Sequence, residues 1–470
     1  MVFNRKKICC IGGGYVGGPT MSVIAKYCPE IEVNVVDINR ERIRSWNSVD
    51  LNNLPIYEPG LKEIIKKYRG VNLHFSCDLE LKISEADIIF ISVNTPTKKK
   101  GIGAGQAIDL KWVEKSARQI AKYAIGHTIV IEKSTLPVRT AETIKEILEK
   151  STRTKENITS FSILSNPEFL AEGTAIKDLE NPDRVLIGGE DKNAIKVLSN
   201  IYENWVDKKK ILTTDLWSSE LSKLIANAFL AQRISSINSI SSICEKTGAN
   251  IKNVTKAVGM DKRIGNKFLN VSPGFGGSCF KKDILNLVYI SNHYGLKDVA
   301  NFWEQVIEIN KWQQKRISHL VVQKLFGTIT SKKIAILGFA FKANTNDSRE
   351  SPAIQICKNL LEEGANLHIY DPKVNINQIA KDLEYPKEQN KDNQDQIGSW
   401  NYSNSLSDAA KSAHAILILT EWEEFKFINW KEISKNMSSP CWLFDTRLIT
   451  NSDEAKASGI KVWCVGQGEI

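Results

Sequence analysis

No stretch of this 470-residue sequence approaches the roughly 20 consecutive apolar residues that a bilayer crossing requires, so no membrane role is expected. The opening residues, MVFNRKKICCIGGG, place basic side chains ahead of an apolar run. That run breaks into glycines after about four residues, far short of a secretory core, and it reads as a first β-strand. Cysteine is sparse and scattered, at Cys9, Cys10, Cys28, Cys77, Cys244, Cys279, Cys357, Cys441 and Cys464. With no CxxC pair and no Cys/His cluster, no metal site is expected, and an odd count in a long chain speaks against a disulfide framework. A reducing, cytoplasmic compartment fits that usage. The six histidines (His74, His127, His293, His319, His368, His414) all fall outside the motif-bearing stretches. A Cys–His hydrolase is therefore unsupported, and proton transfers fall to lysines and carboxylates. Excess charge is also modest. The net +9 is spread along the chain; it suits phosphate-bearing ligands and gives no footprint for nucleic acid. Lys98, Lys99 and Lys100 form a basic run, read as a solvated loop and not as a targeting signal.

What is present is rhythm. The chain is too long for one compact domain, so two or three are expected. Over the first 210 or so residues, short β-branched runs (Lys7 to Ile11, Glu32 to Val36, Ile88 to Ser92, Thr128 to Ile131) alternate with amphipathic segments such as Leu110 to Ala124 and Arg139 to Lys150. This predicts βαβ units and a mostly parallel sheet. From Asp215 to Thr247 no proline or glycine intervenes, and Leu221, Leu224, Ala228, Ile234 and Ile237 recur at helical spacing. Helical patterns continue over Lys282 to His293 and Val299 to Phe326. Alternation resumes with Lys333 to Leu337, then a helix from Pro352 to Glu363, and strands at Leu367 to Tyr370, Ala415 to Leu419 and Trp442 to Phe444. The Asn/Gln/Asp/Lys-rich stretch from Lys387 to Ser399 reads as a mobile surface insertion. The expected fold is α/β: two Rossmann-like doubly wound domains (1–213 and 331–470) joined by an all-helical domain (214–330) with a long helix.

Gly12-Gly13-Gly14-Tyr15-Val16-Gly17 satisfies GxGxxG between a predicted strand and a predicted helix. Gly12 permits the tight turn, Gly14 admits a pyrophosphate, and Gly17 lets helix and strand pack closely. Asp37 ends the second strand about 20 residues later, where a carboxylate accepts from ribose hydroxyls and repels a 2′-phosphate. That favours NAD over NADP, although Arg40 and Arg42 close by soften the preference; the bland alternative is a glycine-rich turn without a ligand.

In Gly274-Phe275-Gly276-Gly277-Ser278-Cys279-Phe280-Lys281-Lys282-Asp283, a thiol precedes a helical pattern with lysines nearby. That is a setting for a lowered thiol pKa and nucleophilic work at a carbonyl. The other cysteines sit mostly in apolar runs, where a structural role is the natural reading. Lys223 and Asn227 share a helix face, either as a plain solvated stripe or as a cation and amide aimed at a developing oxyanion. Glu168 and Glu172 follow the apolar run Phe161 to Leu164, either as helix N-terminal acids or as ligand groups at a strand end.

Taken together, GGGYVGG, SVNTPT (Ser92 to Thr97), EKSTLPVRTAE (Glu132 to Glu142), NPEFLAEGTAIKDL (Asn166 to Leu179), NPDRVLIGG (Asn181 to Gly189), SSELSKLIANAFLAQRISSINS (Ser218 to Ser239), GFGGSCFKKD and FAFKANTNDSRES (Phe339 to Ser351) resemble the UDP-glucose/GDP-mannose dehydrogenase family over nearly the whole chain, most strongly its animal-type, glucose-oxidising members. The resemblance implies oxidation of the C6 alcohol of UDP-glucose to a carboxylate, with two NAD per turnover. It implies Cys279 as the nucleophile, held first as a thiohemiacetal and then as a thioester. Lys223 and Asn227 would steady the oxyanions, Asp283 would lie close to the thiol, and Glu168 and Thr135 would position the hydrolytic water, Glu168 also acting as acid or base. Implied cofactor contacts are Gly12, Gly14, Tyr15, Val16, Gly17, Asp37, Arg42, Val93, Thr95, Ser134, Thr135, Glu172, Cys279 and Arg349. Implied sugar-nucleotide contacts are Glu168, Phe169, Leu170, Lys223, Asn227, Lys267, Phe268, Leu269, Phe275, Gly276, Phe341, Lys342 and Arg447, with Arg263 supplied by a neighbouring subunit. The last domain lacks GxGxxG, which fits a Rossmann-like fold holding UDP, with Lys342 for the diphosphate. A homohexamer built as a trimer of dimers, with UDP-xylose as feedback inhibitor, also follows from the resemblance.

Three positions depart from the animal pattern: Asn270 for a lysine, Thr446 for a glycine and Gly13 for an alanine. The rival readings are another sugar nucleotide (a UDP-N-acetylhexosamine or GDP-mannose), a catalytically dead binding protein, and a two-electron dehydrogenase that releases aldehyde.

Overall fold

The computed structural model describes residues 6–134, 137, 139–152, 159–384 and 398–470. The chain packs as two compact units, residues 1–226 and 227–470.

Among the described residues of the first unit, eight strands are formed: β1 (Lys7–Ile11), β2 (Glu32–Val36), β3 (Leu73–Ser76), β4 (Ile88–Ile91), β5 (His127–Glu132), β6 (Ser160–Ser165), β7 (Val185–Gly189) and β8 (Ile211–Thr214). They lie in the order β3-β2-β1-β4-β5-β6-β7-β8. Every pairing is parallel except β6 with β7. Strands such as KICCI and IIFI are apolar at successive positions because helices cover both faces of such a sheet. Side chains alternate accordingly: Ile8 and Cys10 enter one core and Cys9 and Ile11 the other. The order reverses between β1 and β4, the kind of switch point at whose strand carboxyl ends open α/β sheets bind ligands.

A continuous 32-residue helix, Leu216–Thr247, about 48 Å long at 1.5 Å per residue, begins in the first unit and runs on into the second. In the second unit it is followed by helices Ile251–Gly259, Phe280–His293 and Lys297–Lys324. Residues 260–279 between them carry no helix longer than a turn, so this region is helical apart from one long connection. Seven strands follow: β9 (Lys333–Leu337), β10 (Asn366–Tyr370), β11 (Ser399–Tyr402), β12 (Ala415–Ile418), β13 (Trp442–Asp445), β14 (Lys461–Cys464) and β15 (Gly468–Glu469). Their order is β11-β10-β9-β12-β13-β14-β15, parallel but for the last pair. The fold is therefore α/β, with two Rossmann-like sheets and a helical middle. Residues 387–397 of the expected surface insertion lie outside the described residues. No helix of the described residues is long and apolar enough to cross a membrane.

Candidate active site

The turn after β1 is shaped for a nucleotide. Gly12 sits at φ +111°, a conformation L side chains rarely adopt, and its N–H donates to the Val36 carbonyl at 2.8 Å. A β-carbon on Gly12 would strike the Ser92 carbonyl, and one on Gly17 the Gly12 carbonyl. Gly14, by contrast, faces open space: a β-carbon there would meet nothing within 4 Å. The helix Gly17–Tyr27 begins beside it without a capping side chain, leaving its N-terminal dipole end for an anion. Asp37, 8% exposed, accepts from Gly13 N and Arg42 Nη1 on one oxygen and from Asn39 N on the other, each at 2.9 Å. Open space at Gly14, a helix N-terminus and a carboxylate at the end of β2 together fit a dinucleotide. Tyr15 and Val16 are half-buried on the same turn, and Thr95 is buried beyond β4. Ser134 donates to the Val93 carbonyl at 2.8 Å. Thr135 lies outside the described residues.

The same unit holds a buried ion pair. Lys223 Nζ, 4% exposed, meets Glu168 Oε1 at 3.1 Å, and Glu168 Oε2 accepts the Leu170 N–H at 2.7 Å. Burial alone would push the Glu168 carboxyl up. The Lys223 charge, the Leu170 N–H and the more distant Lys133 charge outweigh it, holding the group below the usual carboxylate range. Phe169 lies under two cations, with Arg184 at 3.9 Å and Lys223 at 5.4 Å from its ring centroid. Glu172 is half-buried on the same segment.

Three supports for these groups were not legible locally. Lys133 is buried and donates to Asn166 Oδ1 at 2.9 Å and to the Tyr202 hydroxyl at 3.2 Å. Glu58, 4% exposed, accepts the N–H groups of Gly173 (2.7 Å) and Ala175 (3.0 Å), pinning the segment that carries Glu168 and Glu172. Glu220 accepts from Arg139 N (2.7 Å) and Ala141 N (2.8 Å). Glu132 lies near it: burial pushes the Glu132 carboxyl well up, and the Glu220 charge adds to that. The signal available in the sequence was a polar residue inside an apolar run, and its partner lies tens of residues away.

In the second unit, Cys279 is the N-cap residue of helix Phe280–His293, with the Ser278 hydroxyl 3.6 Å from its sulfur. Asp283, one turn into that helix, is fully buried; its Oδ2 accepts Asn227 Nδ2 at 2.6 Å, and Lys282 Nζ stands 4.0 Å from Oδ1. The structure thus brings Cys279, Asp283 and Asn227 together around one helix end. Phe275 and Gly276 are buried on the approach to Cys279. Gly277 N donates to the Arg349 carbonyl at 2.9 Å, while the Arg349 side chain engages Asp347, 2.6 Å at its shortest. A β-carbon on Gly276 would come within 2.9 Å of Phe341 Cβ, so the turn before Cys279 and the segment after β9 are in close contact. Arg447 donates to the Leu419 and Phe341 carbonyls at 2.9 and 3.2 Å and pairs with Glu421 at 2.9 Å. Lys342 is half-buried beside Phe341.

Other expected contacts stand apart from that turn. Arg263 is 89% exposed and paired with Asp261 of its own chain, Lys267 is exposed, Phe268 is 40% exposed, and Leu269 is buried. Of the departures, Asn270 is exposed. Thr446 is buried with its hydroxyl on the Ile418 carbonyl at 2.5 Å, and its backbone is outside the positive-φ region, so a β-carbon there costs nothing. An alanine at Gly13 would place its β-carbon 3.2 Å from Trp46 Nε1, requiring a shift of a few tenths of an ångström. Among the described residues no group of acidic, cysteine and histidine side chains could hold a metal.

Comparison with known proteins converges on one assignment. Models of the UDP-glucose/GDP-mannose dehydrogenase family match three segments: its NAD binding domain over residues 6–206, its central domain over 217–312 and its UDP binding domain over 335–452. The UDP-glucose 6-dehydrogenase of Bos taurus is 54% identical over 472 residues, covering 99% of this chain and 94% of the relative. UDP-glucose 6-dehydrogenase 1 of Glycine max is 54% identical, covering 98% and 97%. Among solved structures, a UDP-glucose dehydrogenase from the archaeon Pyrobaculum islandicum superposes with a TM-score of 0.82 at 26% identity, covering 99% of this chain and 98% of the other. The UDP-D-ManNAc dehydrogenase of Pyrococcus horikoshii gives 0.81 at 25%, covering 99% and 100%. The protein is an NAD-dependent dehydrogenase. It belongs to the UDP-glucose/GDP-mannose dehydrogenase family.

Proposed function

We propose that the chain oxidises UDP-glucose to UDP-glucuronate in two oxidations, with Cys279 carrying the sugar between them. The observation that carries this reading is the thiol at a helix N-terminus with the buried Asn227–Asp283 pair one turn away. A protein that only binds a nucleotide sugar has no use for such a thiol, and a single oxidation needs no covalent trap.

The turn Gly12–Gly17, Asp37 and Arg42 would hold NAD, with Val93, Thr95, Ser134, Glu172 and Arg349 as further contacts. When bound, NAD supplies hydride acceptance for each oxidation. At the first oxidation the C6 alcohol becomes an aldehyde by losing a hydride, and a proton to the water or lysine that would act as base beside Asp283. Cys279 Sγ then forms a bond to C6, and the carbonyl oxygen becomes an oxyanion steadied by the Lys223 ammonium and the Asn227 amide. Loss of a second hydride from C6 leaves a thioester on Cys279. Water adds to it, the C–S bond breaks, and carboxylate and thiol are released. Glu168, held ionised, orients that water and takes its proton; Thr135 would assist. Phe169, Leu170, Phe275 and Gly276 would line the sugar, and Lys342 and Arg447 would face the diphosphate.

In this reading residues 1–213 bind NAD, 214–330 form the helical dimerisation domain and 331–470 bind the UDP moiety. Exposed Phe229, Ile243 and Phe302 on the middle helices, at 54%, 56% and 53%, support a subunit contact, as does the exposed Arg263, which would complete a neighbour's site. A hexamer with UDP-xylose as inhibitor follows the same reading. The scattered cysteines, odd in number, suit the cytoplasm.

The test is the NADH formed per UDP-glucose consumed, in the wild type and in Cys279→Ser. Two NADH per sugar, with turnover lost in the variant, is expected. One NADH per sugar, or turnover indifferent to Cys279, would overturn the covalent route. NADH from a different sugar nucleotide only would overturn the substrate.

A further inference from the structure

The connection that delivers Cys279 is buried from Val271 to Gly277 yet belongs to no helix or sheet. Buried backbone polar groups must find partners. Here Gly277 N uses the Arg349 carbonyl and Gly274 N the Ser272 hydroxyl, while the groups of Ser272 and Phe275 are met by carboxamides. Ser272 N donates to Asn238 Oδ1 at 2.9 Å, and Ser272 O accepts Gln313 Nε2 at 2.9 Å. Phe275 N donates to Asn310 Oδ1 at 2.8 Å, and Phe275 O accepts Asn310 Nδ2 at 3.1 Å. Asn310 therefore pairs with both backbone groups of one residue, as a neighbouring strand would.

The orientation of these amides is fixed by their partners. Gln313 Oε1 accepts from Arg316 at 3.0 and 3.1 Å, which turns its Nε2 toward Ser272, and flipping Asn310 would oppose donor to donor and acceptor to acceptor. Gly274 stands at φ +133° with Asn310 Oδ1 only 2.8 Å from where a β-carbon would sit, so the turn is drawn tightly onto that amide. The chain continues through Gly277, tied to the Arg349 carbonyl, into Cys279.

We infer that Asn310 is a positioning residue for the reaction: its carboxamide, through Phe275, sets the turn that places the sugar-facing wall and the Cys279 thiol at the helix end. The inference rests on the reading of Cys279 as nucleophile. Arg316, which orients Gln313, pairs with Glu245 at 2.6 Å, and the Asn310–Phe275 pairing itself joins two neutral groups.

The experiment uses the full chain with Asn310→Ala and Asn310→Asp. It reads kcat and KM for UDP-glucose, the thermal midpoint, and the rate of alkylation of the Cys279 peptide by iodoacetamide, followed by mass spectrometry without substrate. Asn310→Ala is expected to lose about a hundredfold in kcat/KM and about tenfold in the Cys279 alkylation rate. Asn310→Asp is nearly isosteric: its neutral acid offers the same one donor and one acceptor, and its anion turns a second acceptor on the Phe275 carbonyl. Relative to wild type, its kcat/KM and alkylation rate should fall about tenfold as pH rises from mildly acidic to mildly alkaline, a self-controlled readout even if the alanine variant does not fold. A purely structural role would lower the midpoint and leave both rates of the folded enzyme alone. Folded variants with both rates within twofold of wild type, and no pH dependence of the Asp ratio, would overturn the inference. If Cys279→Ser keeps its turnover, the proposed function fails while the alkylation rates still judge Asn310.

Discussion

The two Rossmann-like sheets start alike and end in opposite states. Each begins with the same strand permutation, β3-β2-β1-β4-β5-β6 in the first and β11-β10-β9-β12-β13-β14 in the second. Each has a glycine directly after its first strand, Gly12 or Gly338, at φ +111° or +94°, donating its N–H at 2.8 Å to the last residue of the next strand. Each has an aspartate directly after that second strand, Asp37 or Asp371. The sequences then diverge. After Gly12 come Gly13 and Gly14, and the turn stays open, with Asp37 holding three donors. After Gly338 come Phe339 and Ala340, whose N–H groups Asp371 accepts at 2.7 and 2.9 Å, along with those of Lys373, Val374 and the Trp422 indole. Thr420 closes the turn with a 2.6 Å bond to the Ala340 carbonyl. In the second unit the aspartate spends itself on its own backbone, in the space where a dinucleotide's phosphates would need those N–H groups. A shared topology thus allows a dinucleotide cradle, and the two residues after the first glycine decide whether one forms.

The sharpest break of this comparison is Gly17→Val. Its branched side chain would run into the Gly12 carbonyl, and the KM for NAD should rise by about a hundredfold or more, or the first unit should lose its fold. Asp371→Ala strands five donors and should cost on the order of 4 kcal/mol, seen as a lowered denaturation midpoint, while the KM for NAD stays unchanged. Asp37→Ala should do the reverse, raising the KM for NAD about tenfold with a smaller loss of stability. If Asp371→Ala shifted the KM for NAD as much as Asp37→Ala does, the open-and-closed contrast would be wrong.

A smaller effect separates the supports of the first unit by pH. Because its folded-state pKa is raised, Glu132 contributes stability that is fully present at acid pH and lost as pH rises through that folded value. Glu132→Gln carries its donor permanently, so it should gain midpoint over wild type progressively as pH rises, with no gain in acid. Glu168, whose pKa is lowered, has the opposite sign and loses its contribution as pH falls through its folded value. Gly13→Ala should be the mildest change, within about twofold in the KM for NAD, since the Trp46 indole need yield only slightly.

Much of this contrast is legible in the amino-acid sequence. The GxGxxG turn, Asp37 and the apolar strands announce themselves through local period and composition, and the expected Asp215 to Thr247 helix matches Leu216–Thr247 because no breaker interrupts it. Short strands such as Leu73–Ser76 and Ser399–Tyr402 offer too few residues for a period. Glu58, Lys133 and Asn310 are invisible for a different reason. Their importance lies in backbone or side-chain partners 115, 33 and 35 residues away, and nothing in their neighbours' identities encodes those partners. The closure by Asp371 is legible only as a missing glycine pattern; the sequence does not show which groups fill the space.

The central claim, that Cys279 carries the sugar as a thioester between oxidations, is tested most directly by trapping. Glu168→Gln slows hydrolysis in this account, so acid quenching the variant with UDP-glucose and NAD during turnover should yield a Cys279 peptide heavier by one UDP-glucuronyl group, released by hydroxylamine. A quenched sample that turns over normally yet shows no adduct on Cys279, or an adduct on another residue, would contradict it.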